Sequence, residues 1–132
     1  MLKFLLDTHI VIYVIKRRPP SALASLNLHH GQLAMSAITL AELVHGAEKS
    51  QDPAQNLAVV EDFRSRLTVL DYGERAAHHC GSIRAALEKI GQPIGVNNLH
   101  IAAQARCDGL VLVTNNLREF ARVPGLLTDN WV

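Results

Sequence analysis

The sequence has 132 residues, of which 48% are hydrophobic and 19% are charged, and we expect residues 1–132 to form one globular domain. The formal net charge of +1 argues against nucleic-acid binding by charge alone, and no apolar segment is long enough to span a membrane. Cys80 and Cys107 lack metal-ligand spacing and the basic residues 16–18 follow the first apolar segment, so we expect a cytoplasmic protein with reduced thiols and no secretory signal.

Predicted strands and helices alternate along the chain. An apolar run at 2–7 predicts a buried strand, and the helix that follows at 8–17 must break at Pro19 and Pro20. After that break we predict a helix that ends near Gly31, a strand at 33–36, a helix capped by Thr39, a helix at 54–66, a strand at 68–71, a helix at 74–90, a helix from 97 or 98 to 106, a strand at 110–113, a short helix at 118–120 and an edge strand at 126–128. This alternation predicts an α/β fold with a mostly parallel sheet of four to five strands, flanked by helices on both faces.

Polar side chains stand near the predicted ends of several strands. Asp7 ends the first strand, Glu42 lies on the helix after the second, and Asn98 begins the helix before the fourth. Asn116 and Glu119 follow the fourth strand. Because the carboxyl ends of parallel strands share one edge of the sheet, we expect these groups to converge there. A set of carboxylate and amide oxygens of this kind favours Mg²⁺ or Mn²⁺.

Each of these residues alone also fits a structural role, with Asp7 and Asn98 as helix caps and the acids as solvated surface groups. The apolar neighbours of Glu42 argue against that alternative, because an unpaired carboxylate among them is costly. A metal ion held by such residues orients a water molecule, lowers its pKa and stabilises charge on a phosphodiester. The residues therefore favour metal-dependent cleavage of a phosphodiester bond.

Other polar and aromatic residues are weaker candidates for function. The adjacent histidines at 29–30 and 78–79 have poor geometry for sharing one zinc ion, and His9 fits a position at the rim of the proposed site. Tyr13 and Trp131 are able to stack on a base or on a partner helix, although a terminal tryptophan is more often an interface or core residue. A nucleotide-binding domain is disfavoured because the chain has no glycine-rich phosphate loop.

Four segments carry a resemblance to a known family: LLDTHIVIYVIK, SAITLAELVHGAEKS, IGVNNLHIAAQA and VLVTNNLREFARVPGL. They resemble the motifs of PIN-domain ribonucleases, specifically the VapC toxins of bacterial toxin–antitoxin pairs, and the closing LLTDNWV is similar to the enterobacterial type. The resemblance implies a five-stranded parallel sheet, an endoribonuclease dependent on Mg²⁺ or Mn²⁺, a homodimer, and a VapB-type antitoxin that blocks the site. Close relatives of this type cut initiator tRNA in the anticodon region, and contact operator DNA only through the antitoxin.

The resemblance also assigns roles to individual residues. Asp7 and Glu42 match the first and second acids of the family, and Glu119 in TNNLREF matches the acid of the closing motif. Thr8 and Thr114 match hydroxyls that order the site. The family pattern thus implies that these acids are both catalytic and metal-binding.

Two positions depart from the family pattern. Asn116 stands where many members have an aspartate, and Asn98 stands where the pattern IGxxD has one. Asn98 replaces a charged metal ligand with a neutral and weaker one, so we expect reduced nuclease activity. The alternative is a non-catalytic member that assembles with its antitoxin on operator DNA.

Overall fold

Five parallel strands form one sheet in the computed structural model, which describes residues 1–16 and 19–132. The strands are β1 (Phe4–Leu6), β2 (Leu33–Ser36), β3 (Thr68–Leu70), β4 (Val111–Val113) and β5 (Thr128–Asp129). Their order is β3-β2-β1-β4-β5, and each neighbouring pair is parallel. The predicted sheet is confirmed, and β1 lies at its centre.

Seven helices connect or follow these strands within the described residues: α1 (Thr8–Lys16), α2 (Pro20–Leu28), α3 (Ala37–Glu48), α4 (Pro53–Arg64), α5 (Glu74–Lys89), α6 (Val96–Asp108) and α7 (Leu117–Phe120). The predicted end of the first helix at residue 17, and most of the basic cluster at 16–18, lie outside the described residues. Across 1–16 and 19–132, none of the helices has the length and apolar character needed to cross a bilayer.

Two hydrophobic cores cover the two faces of the sheet, because side chains alternate along each strand. Phe4 and Leu6 of β1 point into a core shared with α1 to α4, whereas Leu5 points into a core shared with α5 to α7. β1 is buried along its whole length, which a strand covered by helices on both sides requires. The predicted helices on both faces are confirmed.

Three predicted boundaries were wrong. The cap of α3 is Ser36, whose hydroxyl accepts the N–H of Ile38 at 3.0 Å, and Thr39 is fully buried inside the helix. The helix starts this early because the last residue of β2 already supplies the capping oxygen. Helix α6 begins at Val96 with Gly95 before it, and β5 begins at Thr128, beyond the turn in which Leu126 N–H bonds Val123 C=O.

The central position of β1 predicts a large cost for truncating its core side chain. Leu5→Ala should lower the free energy of unfolding by about 2–5 kcal/mol, since Leu5 is fully buried and a cavity would remain. Leu28→Ala is the matched control, because Leu28 is 79% exposed and its loss should cost no more than about 0.5 kcal/mol. Urea unfolding measures both changes. Equal effects would contradict the central placement of β1.

Candidate active site

Asp7 is fixed at the carboxyl end of β1 by pairing with β4. The register joins Leu6 to Val113, and the Asp7 N–H donates to Val113 C=O at 2.9 Å. The Asp7 carboxylate accepts the Thr8 N–H on Oδ1 at 2.7 Å and the Thr114 hydroxyl on Oδ2 at 2.9 Å. Asp7 is only 2% exposed, so this buried anion depends on its hydrogen bonds and on the amino terminus of α1.

Burial raises the pKa of the Asp7 carboxyl. The hydrogen bonds from Thr114 and Thr8 and the charge of His9 oppose that rise, and the negative charge of Glu42 adds to it. The net pKa is raised, so the folded protein disfavours the ionised form of Asp7 relative to a carboxylate in water.

Glu42 approaches the same place from the other side of β1. Its helix follows β2 directly, and its Oε1 accepts the hydroxyl of Thr8 at 2.7 Å. The Thr8 and Thr39 hydroxyls are 3.2 Å apart, and since the Thr8 proton goes to Glu42, Thr39 is the donor in that contact. Thr8 therefore links both acids, through its N–H to Asp7 and through its hydroxyl to Glu42.

Glu119 occupies the far side of the site, on the short helix α7. Its Oε1 accepts the Gly95 N–H at 3.0 Å and the Asn98 side-chain Nδ2 at 3.1 Å. Its Oε2 accepts Nδ2 of Asn116 at 3.1 Å. Burial raises the pKa of Glu119, but the hydrogen bonds from Asn98, Gly95 and Asn116 and the charge of Arg122 outweigh it, and the net pKa is lowered.

A single hydrogen-bonded chain joins these parts. The Thr114 hydroxyl donates to Asp7 and accepts the Asn116 N–H at 2.9 Å, which connects Asp7 with the Asn116–Glu119 pair. The chain of contacts is Glu42–Thr8–Asp7–Thr114–Asn116–Glu119–Asn98. The structure thus brings the seven residues singled out in the sequence together at one edge of the sheet, and their chemical roles stay a prediction.

The acids of this hydrogen-bonded set form no ion pair within residues 1–16 and 19–132. The three ion pairs found there join exposed side chains on or just after α4 and on α5. In the same residues no group of three or more histidines, cysteines or acids is arranged to hold a metal ion. Carboxylate and amide oxygens are the ligands that a hard divalent cation prefers, and position 98 contributes a neutral amide to the set.

The contact between Asn98 and Glu119 shows what the amide changes. An aspartate at position 98 would face Glu119 with an oxygen at the 3.1 Å that now separates Nδ2 from Oε1. Two carboxylates this close repel each other unless a cation or a proton lies between them. In this chain the Asn98 amide donates a hydrogen bond instead, so Glu119 is held in place without a cation.

Sequence reasoning missed two contributors and placed others correctly outside the site. Gly95 donates its backbone N–H to Glu119, and Thr39 bonds Thr8. The sequence feature that indicates the Gly95 contact is a glycine directly before a helix, because such a residue has only its backbone N–H to donate. Trp131 is buried and packs edge-on against Phe4 with ring centroids 5.1 Å apart, so the structure makes it a core residue.

Comparison with known proteins agrees with this geometry. The family model of the PIN domain matches residues 4–126. The chain is 59% identical over 132 residues to a Haemophilus influenzae protein named Ribonuclease VapC2, with 100% of both chains covered. It is 53% identical to a Shigella flexneri protein named tRNA(fMet)-specific endonuclease VapC, with 99% of both covered.

The solved structures agree as well. A chain of the crystal structure of DNA-bound VapBC from Salmonella typhimurium matches with a TM-score of 0.96, 52% identity and 100% coverage of both chains. The chain belongs to the PIN domain family, and its near relatives in that family are VapC ribonucleases.

The opposite pKa shifts of the two acids predict opposite pH dependences of stability in metal-free protein. The raised pKa of Asp7 means that its contribution to stability is full below about pH 4 and is lost as pH rises through its folded pKa. Asp7→Asn should therefore gain stability over the parent as pH rises toward 7, with the gap closing in acid.

Glu119→Gln is the matched comparison. Because the pKa of Glu119 is lowered, its contribution is present above about pH 4.5 and is lost as pH falls through the folded pKa. The variant should be less stable than the parent at pH 7 and converge with it in acid. Denaturant unfolding between pH 3 and 7 in a chelator measures both. A shared pH dependence would contradict the assigned environments.

Proposed function

We propose that this chain is the toxin of a VapBC-type (type II) toxin–antitoxin pair, a metal-dependent endoribonuclease whose activity is reduced by Asn98. The observation that supports this most is the hydrogen-bonded chain that runs from Glu42 through Asp7 to Glu119 at the carboxyl edge of the sheet. Relatives named as ribonucleases also match the amino-acid sequence over essentially its whole length.

Asp7, Glu42, Glu119 and the side-chain oxygen of Asn98 would hold Mg²⁺ or Mn²⁺, which supplies an activated water and countercharge for the phosphodiester. Thr8 and Thr114 each bond one oxygen of Asp7, so its carboxylate is oriented before a ligand binds. Hydrogen bonds from Thr8 and Asn116 likewise orient the carboxylates of Glu42 and Glu119, respectively. Such fixed acids lower the cost of reorganisation during the reaction.

The proposed substrate is RNA, and initiator tRNA cut in the anticodon region is the first choice. The relatives from Shigella flexneri and Salmonella typhimurium are named tRNA(fMet)-specific endonucleases and are 53% and 52% identical to this chain. An anticodon loop presents unstacked nucleotides that an open site at a sheet edge is able to reach.

The missing charge at position 98 sets the scale of the reduced activity. A unit charge about 4 Å from a divalent ion is worth several kcal/mol at an effective dielectric near 20, before desolvation takes most of it back. A net loss of roughly 1–3 kcal/mol weakens metal binding by about one to two powers of ten. The amide thus leaves fold and partner surfaces intact while it weakens the metal site.

A non-catalytic assembly partner is the second candidate. The bond from Asn98 to Glu119 favours it, because the Glu119 carboxylate is hydrogen-bonded without a metal. In this version the chain binds its antitoxin, and operator DNA is reached only through the antitoxin. The solved relatives from Salmonella typhimurium and Rickettsia felis are VapBC complexes bound to DNA.

The proposed antitoxin surface lies beside the acids. A groove of about 320 Å³ between α1, α3 and α4 is lined mostly by apolar residues, together with Lys16 and Asn56, and reaches Glu42. Its apolar walls suit aliphatic or aromatic side chains of a partner segment, and Glu42 with the neighbouring acids suits a cation on that segment. We also propose that the chain forms a homodimer, as the family resemblance implies.

Restoring the charge tests the catalytic proposal. Asn98→Asp should raise single-turnover cleavage of initiator tRNA by roughly 100-fold or more at limiting Mg²⁺ or Mn²⁺, since it adds a charged ligand. The same change should lower the thermal midpoint in a chelator and restore it with Mg²⁺, because two carboxylates then share one place. Adding Asp7→Ala should abolish the restored activity.

Asn97→Asp is the matched control, since it adds the same charge at an exposed neighbouring position outside the hydrogen-bonded chain. Equal cleavage by the Asn98→Asp variant and the parent would remove position 98 from the metal ligands. Equal effects of the two substitutions would show that cleavage depends on the added negative charge in general and not on its place at position 98.

The partner proposal predicts association in solution. Sedimentation should show a dimer of the chain, and co-expression with the short gene product encoded beside it should yield a stable complex. Val59→Asp, on the apolar wall of the groove, should weaken that complex while the fold is kept. A strict monomer that binds no neighbouring gene product would count against both proposed interfaces.

A further inference from the structure

A tyrosine and an asparagine border the acidic site without taking part in its network. Nδ2 of Asn115 lies 3.0 Å from the hydroxyl of Tyr13, which is half-buried on α1. Asn115 stands between Thr114 and Asn116, whose side chains are bound to Asp7 and Glu119. The Tyr13–Asn115 pair is therefore held at the rim of the site by the same turn that connects the two acids.

This pair keeps hydrogen-bond donors to spare. Within the described residues, the only side-chain hydrogen bond of Tyr13 or Asn115 is the one between them. If the amide nitrogen faces the phenol, the phenol proton and the second amide proton are unspent. If the amide is turned over, both amide protons are unspent. In either orientation two donors of the pair have no partner among the described residues.

Among the Phe, Tyr and Trp side chains, Tyr13 is the one whose ring is available for stacking beside the acidic site. The chain has six such residues, and four of them are buried: Phe4, Phe63, Phe120 and Trp131. The phenol of Tyr72 is bound to His100 at 2.8 Å. His9 stands four residues before Tyr13 on the same face of α1 and is exposed, so a second ring lies on that face.

We infer that Tyr13, with Asn115 and His9 beside it, binds a nucleobase of single-stranded RNA next to the cleaved phosphate. The inference rests on the proposed ribonuclease function and deepens it. Without a bound cation the three carboxylates of the site repel a phosphate backbone, so neutral contacts to bases help to hold the strand there. Aromatic stacking supplies such contacts for any base, and unspent N–H and O–H donors read acceptors on base edges.

The test measures RNA binding without cleavage. A short single-stranded RNA with one 2-aminopurine is titrated with the full chain in a chelator, and anisotropy and fluorescence quenching are recorded. Tyr13→Leu should weaken binding by about 5- to 100-fold and abolish the quenching, since the stacking ring is lost. Tyr13→Phe should keep the quenching and weaken binding by only about 2- to 10-fold.

Tyr72→Phe is the matched control, because it removes a phenol that is already bound elsewhere, and it should leave both signals unchanged. Tyr13 packs against the core of α1, so unfolding of each variant is followed alongside. If Tyr13→Leu does not fold, RNA binding by Asn115→Ala and Tyr13→Phe tests the inference instead. Unchanged RNA binding by both variants would overturn it.

The possible failures are distinguishable. Parent-like affinity and quenching in folded Tyr13→Leu would overturn the inference alone. Absence of RNA binding by the parent chain would overturn the inference together with its substrate class. Failure of the Asn98→Asp variant to cleave RNA would reject the proposed nuclease while leaving the binding measurement to stand by itself.

Discussion

The pairing of β1 with β4 is the constraint on which the site depends. It aligns Leu6 with Val113 and so places Asp7 beside Thr114, two residues that are distant in sequence and both nearly inaccessible to solvent. A carboxylate in that position has lost its hydration shell, and the hydrogen bonds from Thr114 and Thr8 replace part of that solvation. The turn that follows Thr114 then carries Asn116 and Glu119 to the same edge.

Neutral donors hold the acids throughout this site. Hydroxyls bind Asp7 and Glu42, amides and a backbone N–H bind Glu119, and no charged side chain in the described residues makes an ion pair with them. Such an arrangement orients each carboxylate without bringing a positive charge into contact with it. That is the electrostatic condition under which a divalent cation is attracted and a bare phosphate is not.

The Asn98 amide shifts this balance at one point only. Its Nδ2 satisfies Glu119, whose pKa is lowered, whereas Asp7 at the other end keeps a raised pKa because burial outweighs its hydrogen bonds. The two ends of the site therefore differ: burial disfavours the ionised form of Asp7, whereas hydrogen bonds and the charge of Arg122 favour the ionised form of Glu119.

Local sequence determined the alternation of strands and helices, the parallel sheet and the residues of the acidic set, because apolar runs ending in polar residues need no distant partner to be recognised. It did not determine where helices begin: Ser36 caps α3 ahead of Thr39, and Gly95 precedes α6, since the ends of strands and loops set those starts. Only the tertiary structure decided which donors meet which acids, as in the Thr114–Asp7 contact across 107 positions and the Tyr13–Asn115 contact across 102. Contacts between elements far apart in the chain follow from strand order and register, and no short stretch of sequence contains either.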